Sequence, residues 1–347
     1  MAGLSSATRQ LTPYFWDIAA PLGAGDPYHD TAAGLGANVL GAVNYTVADA
    51  APRLRSGFPE LSLHMARSTR ESFAEVWLTD APVEVGQRGG VAYAYDGDHV
   101  FCAGRIEPTG NYTRSTRTAY LAAFDILAEL GCTSVFRMWN FIGRINEENA
   151  EGLEIYRDFC RGRAEAFREC ALTGEQSPAA TGIGSRGEGI GFYMLGRRSG
   201  GHANIENSRQ ISAFNYPPRY GPKSPKFARA TLLKSRDLGE RGRIYVSGTA
   251  SILGHESRHE DDVDAQCELA LRNISHLVGP ENLTRYGVAG RSILDLRNIK
   301  VYVRRDEDMP LVRKRCEAVF APEAEVAYLN VDVCRRELLV EIEGIAF

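Results

Sequence analysis

Leu338-Leu339-Val340-Glu341-Ile342-Glu343-Gly344 brings the chain to its end in an extended, alternating run. Side chains alternate faces along a strand, so Leu338, Val340 and Ile342 point one way and Leu339, Glu341 and Glu343 the other. A carboxylate on so apolar a strand has two readings. It faces water, the common condition of any Glu, or it sits in a poorly hydrated pocket with the raised pKa of a proton donor. For the fold, what matters is that the chain closes on a strand.

Working back from that strand, further strands are expected near residues 227–233, 243–248 and 299–303. Between them lies a helix over 263–278, with Val263, Cys267, Ala270, Leu271, Ile274 and Val278 on one stripe. A shorter helix is expected near 309–319. The first half has the same order. Alternation at 73–78, 90–95 and 100–103 precedes a helix over 113–130 that stops at Gly131, a strand over 133–139, a helix over 149–171 and a strand at 190–195. Each half reads as strands, helix, strand, helix, strand, an internal repeat of an α+β unit with helices on one face of a mixed sheet. Residues 1–70, rich in Gly, Pro and Ala, read as extended wrapping segments with short strands. The Gly-, Ser- and Pro-rich run 173–189 is the best internal boundary, dividing the chain into domains 1–185 and 186–347.

The chain has 347 residues, with 40 Lys and Arg against 44 Asp and Glu and a net charge of −4. With no basic stripe, nucleic acid is not an expected partner, and an anionic ligand has to be held by local arginines. No apolar run approaches the length of a membrane span. Met1-Ala2-Gly3-Leu4-Ser5-Ser6 lacks the basic start and apolar core of a secretory signal. The seven cysteines, at 102, 132, 160, 170, 267, 316 and 334, are odd in number and lack close metal-type spacing. Reduced thiols in a cytoplasmic protein are the expectation.

Two motifs invite a cofactor or a metal. Gly182-Ile183-Gly184-Ser185-Arg186-Gly187 matches G-x-G-x-x-G, but a dinucleotide site needs a strand before it and a helix after it. Here a Ser-Pro-Ala loop precedes and a glycine-rich, strand-like run follows, so no cofactor is expected. His255-Glu256-Ser257-Arg258-His259 matches H-E-x-x-H, which on a helix would make a zinc peptidase. Gly254 before it and Glu260, Asp261 and Asp262 after it read instead as a polar approach to the next helix, with Asp261 or Asp262 as its cap, and no metal is expected.

Tyr156 and Arg163 lie seven residues apart on one face of the 149–171 helix, with Phe159 and Cys160 between them. Arg229 shares a face with Phe227, Thr231 and Leu233 by alternation, and Tyr216 opens the proline loop before it. An arginine in an apolar setting needs a partner or an outlet to solvent. Two such arginines, two tyrosines and one misplaced acid would suit a small dicarboxylate, because a guanidinium fixes a carboxylate with two parallel charge-assisted bonds. A structural ion-pair network is the rival reading.

The chain resembles the chorismatase family from end to end. The resemblance is carried by Gly152-Leu153-Glu154-Ile155-Tyr156-Arg157-Asp158-Phe159-Cys160 with Gly162-Arg163-Ala164, by Pro178-Ala179-Ala180-Thr181-Gly182-Ile183-Gly184, by Asn204-Ile205-Glu206-Asn207, by Phe227-Ala228-Arg229-Ala230-Thr231, by Ile252-Leu253-Gly254-His255 and by Leu339-Val340-Glu341-Ile342-Glu343-Gly344. It implies an α+β fold of YjgF-like, chorismate-mutase-like mixed sheets, arranged as a pseudo-trimer within one chain, with the catalytic Glu in the C-terminal part. It implies cleavage of chorismate with release of pyruvate, no metal or organic cofactor, and a monomer. By position, Glu341 matches the family's catalytic acid/base, and Tyr156, Arg163, Tyr216 and Arg229 its substrate contacts.

The family divides by product, and two positions follow the split. Gly248, in Val246-Ser247-Gly248-Thr249-Ala250, and Cys334, in Val331-Asp332-Val333-Cys334, resemble the 3-hydroxybenzoate branch. Alanines at both would resemble the hydrolytic branch, which makes a dihydroxycyclohexadiene carboxylate. The physical expectation is that Gly248 frees space for the substrate to shift, so that its own 4-hydroxyl attacks C3. A non-catalytic binder of small acids and an H-E-x-x-H metallopeptidase are the readings from other classes.

Overall fold

The computed structural model describes residues 11–17, 28, 32, 34–172, 174–198, 201–234 and 241–347. The described residues before 80 form a sheet rather than wrapping segments: β1 (Leu11–Asp17), β2 (Asn38–Thr46), β3 (Ala50–Arg55), β4 (Phe58–His64) and β5 (Phe73–Thr79), in the order β1-β5-β2-β4-β3. The cause of the misreading is visible in β2, where seven consecutive residues are buried. A strand covered on both faces has no alternation to read.

The second sheet holds β6 (Glu84–Arg88), β7 (Val91–Tyr95), β8 (His99–Ile106), β9 (Ser134–Gly143), β10 (Ala179–Ser185) and β11 (Ile190–Arg197), ordered β10-β9-β11-β8-β7-β6. Helices α1 (Thr113–Glu129) and α2 (Ile155–Glu169) connect β8 to β9 and β9 to β10. The third sheet holds β12 (His202–Ile205), β13 (Ala230–Leu233), β14 (Arg243–Ala250), β17 (Leu296–Val303), β18 (Val326–Asn330) and β19 (Val340–Ala346). The intervening β15 (Ile252–Leu253) and β16 (Glu256–Ser257) make a small hairpin. Its order, β18-β17-β19-β14-β13-β12, repeats that of the second sheet strand for strand, with α3 (Val263–Val278) and α4 (Met309–Glu317) in the equivalent crossovers. The equivalent parallel pairs are β9 with β10 and β17 with β18. In the first sheet β2 and β4 pair in parallel and β5 and β1 follow, a smaller third copy of the arrangement.

Helices cover one face of each larger sheet. Leu127, Phe159 and Phe167 pack on the second sheet and Cys267, Ala270, Ile274 and Val312 on the third. The remaining faces meet in one shared core that includes Val43, Trp77, Trp139, Tyr193, Tyr245, Tyr302 and Ile345, drawn from all three sheets. The α+β expectation and the pseudo-trimeric arrangement in one chain are both met.

Several expectations need correction. The 173–189 run contains β10, and a cut after residue 185 falls between β10 and β11, which both pair with β9. The glycines that suggested a loop serve close packing instead: Gly182 lies under the Tyr156 ring and Gly184 against Asp332. The H-E-x-x-H run is extended at Glu256–Ser257, and His259 has φ +60°, so its histidines do not share a helix face. Asp262 caps α3 by accepting from the Ala265 amide. Leu339 packs with the helix-covered face of the third sheet, because regular alternation starts only at Val340.

Candidate active site

A cavity of about 650 Å³ opens where the second and third sheets meet. Its wall includes Tyr156 from α2, Ala180 and Gly182 from β10, Tyr216 and Phe227 from the proline loop, Arg229, Gly248 from β14, Cys334 and Glu341 from β19. Residues as far apart in sequence as Glu154 and Glu341 thus line one space because α2 and β10 are carried to the edge of the sheet that faces β14. β10 and β14 are bridged by side chains: Ala180 N–H donates to Ser247 Oγ (2.9 Å) and Gly248 N–H to Thr181 Oγ1 (3.1 Å).

Glu341 is 4% exposed. Burial pushes its carboxyl pKa up to about 8, and the negative charge of Glu343 adds to the effect; the Cys334 thiol, Arg137 and Arg229 oppose it. Of the two readings of the closing strand, the pocket is therefore the one found. Cys334 Sγ lies 3.8 Å from Glu341 Oε2. Burial, with the Glu341 charge second, holds this thiol well above its ordinary pKa, so it is a neutral donor.

The register of β14 against β19 shifts between Val246 and Thr249, a bulge that contains Gly248. A β-carbon placed on Gly248 would overlap the Glu341 carboxylate, with the carboxyl carbon 2.8 Å away. The space that the missing methyl leaves is thus filled by the acid, not by room for the substrate. The sequence-based rationale for Gly248 is corrected accordingly: its lack of a side chain sets where the carboxyl rests.

Two residues further along β19, Glu343 has an opposite fate. It is 1% exposed but accepts from Trp139 Nε1 and Tyr302 OH (both 2.9 Å) and from Thr181 and Arg137, and pairs with Lys300 Nζ at 3.1 Å. Burial alone would raise its pKa; the Lys300 and Arg137 charges and the Thr181 hydroxyl outweigh that and lower it. The strand therefore carries a neutral acid in the cavity and a fixed anion behind it.

Arg229 is 3% exposed. Its Nη2 donates to Tyr216 OH (2.6 Å) and the Ile211 carbonyl (2.9 Å), and its Nε is buried without a protein partner among the described residues. Arg163 does not line the cavity. It is buried with Cζ 4.9 Å from the Phe159 ring and 5.9 Å from that of Phe167. Its Nε is buried without a protein partner among the described residues, and its charge acts on the Tyr156 and Cys160 side chains of the same helix. Arg335, which the sequence reading did not single out, does line the cavity, with Cζ 4.0 Å from the Tyr220 ring and 5.2 Å from that of Tyr216. Its only sequence signal is adjacency to Cys334 in a polar turn that otherwise reads as solvated.

The fold and this geometry are those of a known class. Residues 75–196 match the family model described as "Chorismatase FkbO/Hyg5-like, N-terminal". The chain is 58% identical to a 3-hydroxybenzoate synthase of Streptomyces hygroscopicus over 313 residues, 90% of this chain and 92% of that one. It is 43% identical to a chorismatase of Streptomyces rapamycinicus over 88% of this chain and 92% of that one. A crystal structure of a chorismatase superposes with a TM-score of 0.90 at 40% identity, covering 97% of this chain and 98% of the other. The chain belongs to the chorismatase family.

Proposed function

We propose that this chain is a lyase that converts chorismate to 3-hydroxybenzoate and pyruvate. The observation that carries the proposal is a carboxylic acid, Glu341, kept protonated near neutral pH in a cavity that also holds Arg229, Tyr156 and Tyr216. The Gly248 and Cys334 pair at that carboxyl, and the 58% identity to a 3-hydroxybenzoate synthase, favour this product over the diene diol.

The chemistry follows from one proton. Glu341 donates to the terminal methylene of the enolpyruvyl group, which becomes the methyl of pyruvate. The C3–O bond breaks with its electrons moving to oxygen, giving the pyruvate ketone. The substrate's 4-hydroxyl oxygen attacks C3 and returns its proton to Glu341, closing an arene oxide. The C4–O bond then opens, the C3 proton leaves, and the ring is aromatic with its hydroxyl at C3. All atoms of chorismate are accounted for, and the reaction is redox-neutral overall. Arg229 would hold a substrate carboxylate, a charge-assisted contact of about 1.5–3 kcal/mol. Tyr156 walls the ring side.

The free thiols and the three-sheet core inside one chain support a reading as a cytoplasmic monomer. Among the described residues no helix is long and apolar enough to cross a membrane.

The test is direct. Purified protein is mixed with chorismate and the products are separated. Pyruvate and 3-hydroxybenzoate are expected in equal amounts. A diene diol without the phenol overturns the branch, and ligand binding without pyruvate overturns the enzyme.

A further inference from the structure

We infer that Thr181 is a positioning residue for the reaction: from outside the cavity, its hydroxyl pins the bulge of β14 to the buried Glu343 and so sets where the Glu341 carboxyl rests. The inference rests on the reading of Glu341 as the proton donor.

Side chains alternate along β10, and Ala180 and Gly182 line the cavity while Thr181, between them, does not. Thr181 is 1% exposed. It lies where four strands meet: β10 carries it, β9 supplies Arg137, β14 supplies Gly248 and β19 supplies Glu343. A hydroxyl has one proton to give and two lone pairs with which to accept. The Gly248 amide, at 3.1 Å, and Arg137 Nη2, at 2.7 Å, can only donate, so they occupy both lone pairs. The hydroxyl proton is left for the Glu343 carboxylate, to which it is bonded. The whole hydrogen-bonding capacity of the side chain is thereby used.

These bonds act on the bulge. Gly248 falls in the register shift of β14 against β19 and belongs to no regular ladder pair. An amide in such a place needs an acceptor from outside the ladder, and Thr181 provides it. The other bulge residue, Ser247, is held from the same side. Its Oγ accepts from the Ala180 amide (2.9 Å) and donates to the Ala228 carbonyl (2.6 Å), and its own amide donates to the Arg229 carbonyl (3.0 Å). The bulge is thus tied to β10 and to the segment that carries Arg229, and Gly248 turns its bare Cα toward the Glu341 carboxyl. A shift of Gly248 is felt directly at the acid. Thr181 is the one member of this arrangement that links the bulge to the fixed anion of β19 through a single oxygen.

The role is tested with Thr181→Val, which keeps the shape and deletes the three bonds, and Thr181→Ser, which keeps the bonds and deletes a methyl. The values of kcat and KM, the Kd for 3-hydroxybenzoate and the ratio of 3-hydroxybenzoate to diene diol are measured well below Tm. Thr181→Val is expected to lower kcat about tenfold or more, because a misplaced proton donor costs rate. KM and Kd are expected to stay within about threefold, and part of the product is expected to become the diene diol. Thr181→Ser is expected to return kcat to within about threefold of wild type. A threonine that only held the core together would lower Tm and leave kcat and the product ratio as they are, which overturns the inference. A raised KM with unchanged kcat overturns it too, as does a loss in Thr181→Val that Thr181→Ser does not restore. Should Thr181→Val fail to fold, Thr181→Cys decides, since a thiol is a weak donor and acceptor: a reduced kcat at constant KM supports the role and a wild-type kcat overturns it. A wild-type protein that releases no pyruvate would remove the functional reading itself, whereas an active wild type with indifferent Thr181 variants removes only this inference.

Discussion

Glu341 and Glu343 are two residues apart on one strand face, equally buried, and opposite in proton affinity. The difference lies in what surrounds each. Glu343 meets Lys300, Arg137 and three neutral donors in the core. Glu341 makes no ion pair among the described residues and meets a neutral thiol and the repulsion of its neighbour. The acid form of Glu341 is depleted as pH rises through about 8, so turnover is expected to be level below that value and to fall about tenfold per unit above it. The same shift acts on stability with a definite sign. From pH 4.5, where the unfolded carboxyl ionises, to about 8, the native state holds one proton more than the unfolded chain, so stability declines with pH across that window. Glu341→Gln is expected to lose turnover by about 10²–10⁴-fold, to keep ligand binding, and to flatten that decline in Tm. Residual activity near wild type would move the proton donor elsewhere. The sequence made Glu341 conspicuous because a carboxylate broke an apolar alternation. It could not show which of two acids on the face was neutral, because that depends on Lys300 and Arg137, which reach Glu343 from other strands.

At the scale of elements, the bulge in β14 is the feature through which the product positions act. Between Val246 and Thr249 one residue of β19, Glu343, faces two of β14, Ser247 and Gly248, and the extra residue brings Gly248 against the Glu341 carboxyl. An alanine there cannot be accommodated without displacing the acid. Gly248→Ala is therefore expected to lower kcat about tenfold or more by moving the proton donor. It is also expected to divert product toward the diene diol, the diversion becoming larger with Cys334→Ala, which removes the thiol 3.8 Å from the same carboxyl. Product analysis of the single and double variants checks this. Unchanged product and rate in both would separate the bulge from the reaction. The helices and most strands of the two larger units were legible, since each has one face on the shared core and one on helices or solvent. Two of the strands that were not legible, β2 and β10, share a cause. β2 is buried on both sides, and β10 is built of Ala, Thr and Gly so that Tyr156 and Asp332 can approach its backbone. Gly and Ser content, usually a loop signal, here reflects close packing.

Across the whole molecule, three copies of one strand arrangement turn their uncovered faces inward, and equivalent positions meet near the centre. Glu75 on β5, Tyr193 on β11 and Glu343 on β19 occupy corresponding strands, as do Tyr45 on β2, Trp139 on β9 and Lys300 on β17. Lys300 Nζ joins the three sheets: it lies 2.8 Å from Glu75, 3.0 Å from Tyr45, 3.1 Å from Tyr193 and 3.1 Å from Glu343. With Arg137 the cluster holds two cations and two carboxylates, so its formal charge cancels, and its members come from every sheet. No stretch of sequence shows such a network, because each residue alone reads as a misplaced charge and only the assembled sheets supply the partners. Removing Lys300 would leave two buried carboxylates facing each other with Arg137 alone to compensate. Breaking one partner of a buried ion pair costs about 3–5 kcal/mol, and for a chain of this size that corresponds to a fall in Tm of roughly 5–15 °C. Lys300→Met is expected to show such a fall. Glu75→Gln in the same chain is expected to restore part of it, since a cluster stripped of one charge of each sign is again balanced. Thermal unfolding of the single and double variants measures the coupling. If the double variant is no more stable than Lys300→Met alone, charge balance is not what the centre of the molecule requires, and Lys300 acts through packing against the Tyr45, Trp139 and Tyr193 rings that surround it at 5.0–5.8 Å.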